Sequence, residues 1–269
     1  FCTLLGSAMA HLPAGMVALD RDDGFGTHGG RGGNRGGRGG GGGGRGGRGG
    51  HPQPVMRPRP PPPPRSGAEV HVYDFDGTIF RSPVPSDRID EFGPPGFREL
   101  VTQPVFVDGG LGWFQNKRTL QPPCVPWRPA LDNEWFILST VQQFHRSIAD
   151  GHYVIVATGR EMWFKDRIQD LLSIAGLAPH AFYPKPRPKM GTVAAKVELL
   201  SGDIARLRPP RVLLVDDREV QLGRIAEGLA ANFPGITIDR QLVSEAERTL
   251  PPAVEARLLE ELHADADRQ

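Results

Sequence analysis

The chain has few of the residues that build metal cages, disulfide frameworks or membrane spans. Its two cysteines, Cys2 and Cys124, are too few for a zinc site or a disulfide framework, which favours a reducing compartment. No run reaches the roughly 18 apolar residues of a membrane helix. Lysine is also scarce, with five residues against 27 arginines. These absences favour a cytoplasmic or nuclear protein that does not enter a membrane.

Residues 1–28 carry no clear signal and remain an unassigned leader. The segment from Phe1 to Leu19 is mildly apolar, but it lacks the basic start of a secretory signal and contains Pro13. An organellar leader is an open alternative here.

Residues 29–66 differ in composition from the rest of the chain. They carry eight arginines and no acidic residue, and five Arg-Gly-Gly units begin at Arg31, Arg35, Arg38, Arg45 and Arg48. A segment this rich in glycine has little to bury, so we expect a disordered arm. Arginines separated by glycine can contact phosphates and stack on exposed bases, which predicts RNA as a partner. The alternative is codon bias, which the excess of arginine over lysine also fits.

The arm ends in a proline-rich stretch. Residues 58–64 contain six prolines and one arginine. Such a stretch predicts a stiff polyproline spacer that holds the arm away from the folded domain. A docking site for a proline-reading domain is the second interpretation.

Residues 67–269 alternate between strand and helix patterns. A long segment rich in proline and glycine, 81–133, interrupts the alternation and is expected to be an irregular insertion or lid. The predicted strands are Glu69–Asp74, Tyr153–Ala157, Ala181–Lys185, Arg211–Val215 and Ile236–Asp239. The predicted helices are Glu134–Ala149, Arg160–Ala175, Thr192–Leu200, Glu219–Ala231 and Val254–His263. This order predicts a Rossmann-like three-layer α/β/α domain around a central parallel sheet.

Three of the apolar strands end abruptly in polar or acidic residues. These residues are Asp74 and Asp76 after the first strand, Thr158 after the second, and Asp216 and Asp217 after the fourth. Ligands of open α/β sheets bind outside the carboxyl ends of the strands, so these side chains should meet at one edge. Four carboxylates in one place repel one another, and a divalent cation is the usual remedy. We therefore expect a Mg²⁺ site formed by the four aspartates.

The Asp74-Phe75-Asp76-Gly77-Thr78 box has the chemistry of phosphoryl transfer. Residues i and i+2 of a strand share a side, so Asp74 and Asp76 face the same space. One carboxylate can attack phosphorus, and the other can protonate the leaving oxygen and later activate water. Thr158 can bond a phosphoryl oxygen. Arg160 is expected either to contact the phosphate of the substrate or to begin a helix.

This ordered set resembles the haloacid dehalogenase-like phosphohydrolases over residues 69–240. The resemblance implies that Asp74 is the nucleophile and Asp76 the acid/base, with Thr158 in the second motif and Asp216 and Asp217 in the fourth. The family also places a lysine between the second and fourth motifs. Lys196 is preferred because it opens a helix, Lys185 is the second choice, and Lys189 is the third candidate. Gly159, Arg160 and Lys185 are assigned to substrate binding.

A nearer resemblance is to the haloacid dehalogenase-like domain of the Swiss Army Knife RNA repair proteins. It is carried by the runs 73–83, 109–114 and 183–186, with Thr192 and Lys196 after them. The resemblance implies a Mg²⁺-dependent phosphatase that acts on phosphorylated RNA ends. The alternatives are a phosphatase for a small metabolite or a protein, and a non-catalytic RNA-binding adaptor. Four retained carboxylates argue against the adaptor.

Overall fold

The computed structural model describes residues 55–91 and 93–266, so the predictions for the leader and the Arg-Gly-Gly units concern residues outside that part. Five strands form one parallel sheet in the order β4-β3-β1-β5-β6. Two short strands, β2 and β7, form a separate parallel pair. The strands are β1 (Val70–Tyr73), β2 (Pro83–Val84), β3 (Tyr153–Glu161), β4 (Ala181–Lys185), β5 (Arg211–Asp216), β6 (Thr237–Leu242) and β7 (Arg248–Thr249). All four residues of β1 are buried, as expected of a central parallel strand.

Helices cover both faces of the five-stranded sheet. The α-helices are α1 (Phe97–Thr102), α2 (Leu138–Ala149), α3 (Lys165–Ile174), α4 (Thr192–Leu207), α5 (Glu219–Asn232) and α6 (Pro252–Ala266). One hydrophobic cluster joins α2 and α3 to one face, and a second joins α4 and α5 to the other. The predicted three-layer α/β/α class is therefore confirmed. None of the helices within 55–91 and 93–266 is long and apolar enough to cross a bilayer.

The second strand and the helix after it differ from the prediction. A helix starting at Arg160 is wrong, because β3 continues to Glu161, a 3₁₀ turn follows over Met162–Phe164, and α3 begins at Lys165. Pairing with β4 extends the strand, since Glu161 lies opposite Lys185 after a register shift. The extension places Arg160 and Glu161 at the edge of the sheet where the polar residues converge.

Two other predicted helices differ by four residues or more at one end. The helix predicted from Glu134 starts only at Leu138, because Phe136 instead forms a bridge with Phe80. The helix predicted to end at Leu200 continues to Leu207, where Arg208 adopts a left-handed conformation with a φ of 48°.

The insertion over 81–133 is more regular than predicted. It contains α1 and three 3₁₀ helices, Asp87–Glu91, Trp113–Gln115 and Lys117–Leu120. It packs against α6 through a third hydrophobic cluster, which includes Phe97 and Trp113 from the insertion and Leu258 and Leu262 from α6. The insertion and the helix after β7 therefore form a small core beside the main sheet.

The proline-rich stretch contacts the domain directly. Arg57 forms an ion pair with Asp170 at 3.1 Å. The carbonyl of Pro62 lies 2.9 Å from Nε2 of His180. The backbone N–H of Arg65 donates to the carbonyl of Gly151 at 3.0 Å. These contacts place residues 57–65 against the domain. The expectation that this stretch holds the arm away from the domain stays a prediction, because the arm lies outside the described residues.

Candidate active site

The parallel register brings the two acidic strand ends together. Tyr73 of β1 lies opposite Val215 of β5, and the backbone N–H of Asp74 donates to the carbonyl of Val215 at 2.9 Å. Asp74 therefore lies beside Asp216, and both side chains are buried. Their proximity follows from strand pairing alone.

Lys196 connects these two carboxylates. Its Nζ donates to Oδ1 of Asp74 at 2.6 Å and to Oδ2 of Asp216 at 2.8 Å. The lysine lies in the second turn of α4 and is itself buried. Lys185 instead contacts the carbonyl of Pro188 and Oε1 of Glu161. Lys189, the third candidate, is exposed.

Asp217 completes a compact acidic group. Asp74, Asp216 and Asp217 each offer a carboxylate oxygen, and these oxygens lie within 4.8 Å of one another. Both oxygens of Asp216 already accept hydrogen bonds, from the backbone N–H of Arg218 and from Lys196 and Gln221. By contrast, Oδ2 of Asp74 and Oδ1 of Asp217 are buried and have no hydrogen-bond partner within the described residues. Two buried carboxylate oxygens without donors fit a hard cation such as Mg²⁺.

The acidic group has perturbed protonation equilibria. Burial raises the pKa of Asp74 to about 7 even though Lys196 lowers it. Burial likewise raises the pKa of Asp217 to about 6. Burial also opposes ionisation of Asp216, but Lys196 outweighs it and holds the pKa of Asp216 below its usual range. A cation at the two unpartnered oxygens would favour the ionised forms of Asp74 and Asp217.

Asp76 lies outside that group of three and is held by Arg160. Nε of Arg160 donates to Oδ1 of Asp76 at 3.0 Å, and Nη2 donates to the same oxygen at 2.9 Å. The hydroxyl of Thr158 lies 3.4 Å from Oδ2 of Asp76 and accepts from the backbone N–H of Arg160 at 3.1 Å. Burial raises the pKa of Asp76, but the guanidinium outweighs it and the pKa falls below its usual range. The assignment of Asp76 to the metal site stays a prediction.

Arg160 also connects the site to the insertion. Its Nη1 donates to the carbonyl of Phe114 at 2.9 Å and to the hydroxyl of Thr119 at 2.8 Å. The guanidinium lies 5.2 Å from the ring centre of Phe114 and 4.9 Å from that of Phe164. Arg160 is only 2 % exposed, so these contacts replace its hydration. Its position therefore fits holding Asp76 better than it fits the predicted start of a helix.

Two glycines allow close approaches at this edge of the sheet. Gly77 has a φ of +70°, and a β-carbon on it would lie 2.2 Å from Oδ2 of Asp217. A β-carbon on Gly159 would lie 3.0 Å from Cγ2 of Thr192, the first residue of α4. Gly159 thus lies against the helix that carries Lys196, and its assignment to substrate binding stays a prediction.

Sequence reasoning missed three polar residues at the site. Glu161 is buried, accepts from Nε2 of Gln115 at 2.8 Å, and has Lys185 3.5 Å away. Arg218 is half exposed, and its Nε lies 3.9 Å from Oδ1 of Asp217. Arg218 directly follows Asp216 and Asp217 in the sequence, and this adjacency could have identified it as a site residue. Gln115 lies 46 residues from Glu161, so no local pattern joins them.

Comparison with known proteins adds structural neighbours. No family model matches the chain. It is similar to the HAD domain of the effector protein Lem4 from Legionella pneumophila at 14% identity and a TM-score of 0.37, over 74% of this chain and 96% of that one. It is also similar to a HAD-superfamily hydrolase of subfamily IA from Geobacter sulfurreducens at 17% identity and a TM-score of 0.35, over 73% and 97% of the chains. Because these values are low, the function proposed below rests on this chain's own site.

Proposed function

We propose that this protein is a haloacid dehalogenase-like, Mg²⁺-dependent phosphomonoester hydrolase. The observation that carries the proposal is the position of Lys196 between Asp74 and Asp216, with Asp217 in the same group. A buried lysine and three buried or half-buried carboxylates are costly to desolvate. A cluster of this kind is expected at a functional site that binds a cation and an anion together.

The proposed nucleophile is Asp74, and its hydrogen bond from Lys196 supports this role. A carboxylate oxygen of Asp74 attacks phosphorus, the bond from phosphorus to the ester oxygen breaks, and an aspartyl-phosphate forms. Lys196 favours the ionised form of Asp74 and stabilises charge on the phosphoryl group. Water then attacks the aspartyl-phosphate, which releases phosphate and regenerates the carboxylate.

The proposed acid/base is Asp76. It would donate a proton to the leaving oxygen and take one from the attacking water. The pairing with Arg160 favours the ionised form of Asp76, so it suits the second step as it stands. Proton donation in the first step requires that the pairing loosen, and an incoming phosphate is an anion that competes for the same guanidinium.

Asp74 and Asp217 would hold Mg²⁺ through the two oxygens that have no donor. Asp216 lies in the same group, and its assignment to the metal site stays a prediction. The bound ion would supply positive charge that favours ionised Asp74 and reduces its repulsion of the phosphate. Asp216 contributes by holding Lys196 and by accepting the N–H of Arg218.

We propose phosphorylated RNA ends as the substrate. Five Arg-Gly-Gly units precede the domain in sequence, and their chemistry suits a nucleic acid backbone. The likeness of residues 73–83 and 109–114 to Swiss Army Knife RNA repair proteins supports the same substrate. A small metabolite and a phosphoprotein are the competing substrates of the same chemistry.

A phosphate-release screen tests both parts of the proposal. Wild-type protein and Asp74→Asn would be incubated with 3′- and 5′-phosphorylated RNA, nucleotides, sugar phosphates and phosphopeptides, with Mg²⁺ and with excess chelator. We expect Mg²⁺-dependent release from RNA ends by wild type alone. Turnover by Asp74→Asn, or full activity in chelator, would refute the mechanism. Preference for a sugar phosphate or a phosphopeptide would retain the mechanism and refute the substrate.

A further inference from the structure

A concave basin lies on the insertion next to the acidic site. Its volume is about 580 Å³, and it is lined by Gln115, Asn116, Lys117, Arg118, Gln121 and Trp163. One indole ring, three side-chain amides and two cations share this surface. The amides of Gln115 and Asn116 are already hydrogen-bonded within the protein. An aromatic face beside positive charge is the chemistry that binds a nucleotide.

Trp163 presents an accessible aromatic face. It is 44% exposed, and its indole N–H lies 3.4 Å from the carbonyl of Gln115, which positions the edge of the ring. The rings of two other tryptophans are covered, wholly or in part, by the protein itself. Trp113 is fully buried, and the guanidinium of Arg167 lies 5.2 Å from the ring centre of Trp127. Among these three, Trp163 is the one that can stack on a base.

Lys117 supplies the positive charge of the basin. It is exposed in the 3₁₀ helix Lys117–Leu120. Arg118 is already paired with Glu261 at 3.0 Å and Asp265 at 2.7 Å, so its charge is largely compensated. A phosphate bound in the basin would therefore meet Lys117 first.

Two hydrogen bonds connect the basin to the catalytic residues. Gln115 lines the basin and donates to Glu161 at the carboxyl end of β3. Its neighbour Phe114 accepts from Arg160, which holds Asp76. The insertion and the edge of the sheet that carries the acidic site are thus held together through Glu161 and Arg160.

We propose that the basin binds an unpaired nucleotide next to the phosphorylated end of an RNA strand, with its base on Trp163 and its phosphate on Lys117. This inference rests on the proposed RNA-end phosphatase function and specifies its substrate as single-stranded. In a blunt duplex the nucleotide that follows the terminal one is stacked on both faces, so its base cannot also stack on the indole of Trp163. We therefore expect a single-stranded end to be a better substrate than a blunt duplex end.

The test compares Trp163→Ala, Trp163→Phe and Trp127→Ala with wild type. Trp127 is a matched control because it is 43% exposed but does not line the basin. For each protein, kcat and KM would be measured for a phosphorylated single-stranded oligonucleotide, a blunt duplex with the same end and a mononucleotide. We expect Trp163→Ala to raise KM for the oligonucleotide on the order of tenfold, the scale of one base stacked on an aromatic ring.

The other variants make the test specific. Trp163→Phe should recover most of the loss, because phenylalanine keeps an aromatic face, and Trp127→Ala should behave as wild type. Lys117→Ala should reduce the salt dependence of oligonucleotide binding by a log–log slope of about 0.7. If wild type prefers the oligonucleotide and Trp163→Ala keeps that preference, the proposed nucleotide site is wrong and the proposed substrate stands. A wild type that prefers no RNA substrate would overturn the proposed substrate as well.

Discussion

A β-carbon on Gly77 would lie 2.2 Å from Oδ2 of Asp217, a distance at which one of the two residues must move. Gly77→Ala should therefore displace Asp217 and raise the Mg²⁺ concentration needed for half-maximal activity. The positive φ adds a backbone cost of about 1–2 kcal/mol. Gly67→Ala is the control, because Gly67 has a φ of +68° and nothing within 4 Å of the added carbon. Equal Mg²⁺ requirements in the two variants would contradict the close approach.

Lys196→Met should destabilise the protein strongly. It leaves Asp74 and Asp216 as buried carboxylates without their shared cation, a loss of about 3–5 kcal/mol for a broken buried pair. Urea unfolding of both proteins without metal measures this loss in the free energy of unfolding. Lys189→Met removes an exposed charge and should change stability by no more than about 0.5 kcal/mol. If Lys185→Met abolished activity while Lys196→Met retained it, the third motif would belong to Lys185.

Arg167→Met should loosen the insertion. Arg167 donates to the carbonyls of Leu120, Pro126 and Trp127 at 2.7, 2.6 and 2.8 Å. The Leu120 bond is buried, and leaving its acceptor without a donor costs about 1–3 kcal/mol. Hydrogen exchange over 118–133 should become faster. Arg57→Met, which removes a surface ion pair with Asp170 of α3, should leave that exchange unchanged. If the amides of 118–133 stay protected from exchange in Arg167→Met, the apolar contacts alone are enough to hold the insertion in place.

His71 should make the protein less stable in mild acid. Burial lowers the pKa of His71, and the hydrogen bond to Glu69 offsets this only in part. The unfolded chain, with a histidine pKa of about 6.5, therefore binds more protons than the folded chain. Stability should be retained above that value and fall as the pH decreases below it. Urea unfolding from about pH 7 to about pH 5 should show a shallower decline in His71→Gln, whereas His145→Gln, at an exposed position, should follow wild type.

Deletion of residues 29–50 tests the arm, which lies outside the described part of the chain. It removes five arginines and no acidic residue. If all five engage RNA, the log–log salt slope of binding should change by about 3 to 4 units, at roughly 0.7 per phosphate contact. Turnover of a small chromogenic phosphate should be unaffected. Unchanged RNA affinity at every salt concentration would identify the tract as compositional bias.

The strands and their acidic ends could be predicted because each is a local pattern. Ala181–Lys185 has the predicted bounds, and Asp74 and Asp216 meet because parallel strands share an edge. The preference for Lys196 came from the family resemblance, which implies a lysine near the start of the helix α4. Its Nζ bridges the two aspartates, although its catalytic role stays a prediction.

The role of Arg160 could not be predicted because its partners are distant in sequence. Asp76 is 84 residues away, and Thr119 is 41 residues away in a segment without clear periodicity. The same separation hid the small core between the insertion and α6. Its apolar residues are interspersed with proline and glycine, so neither a helical nor a strand period stands out.

The packing of the insertion on α6 has a consequence for folding order. Asn116 bonds Asp265 across 149 residues, and Ser86 bonds Glu255 across 169. During synthesis the insertion leaves the ribosome long before its partner helix, so Phe97, Trp113 and their neighbours have no complete core to enter. The insertion should reach its final shape only after α6 is made. Substitutions in α6, remote in sequence from every acidic residue of the site, should therefore lower the yield of active protein rather than its turnover number.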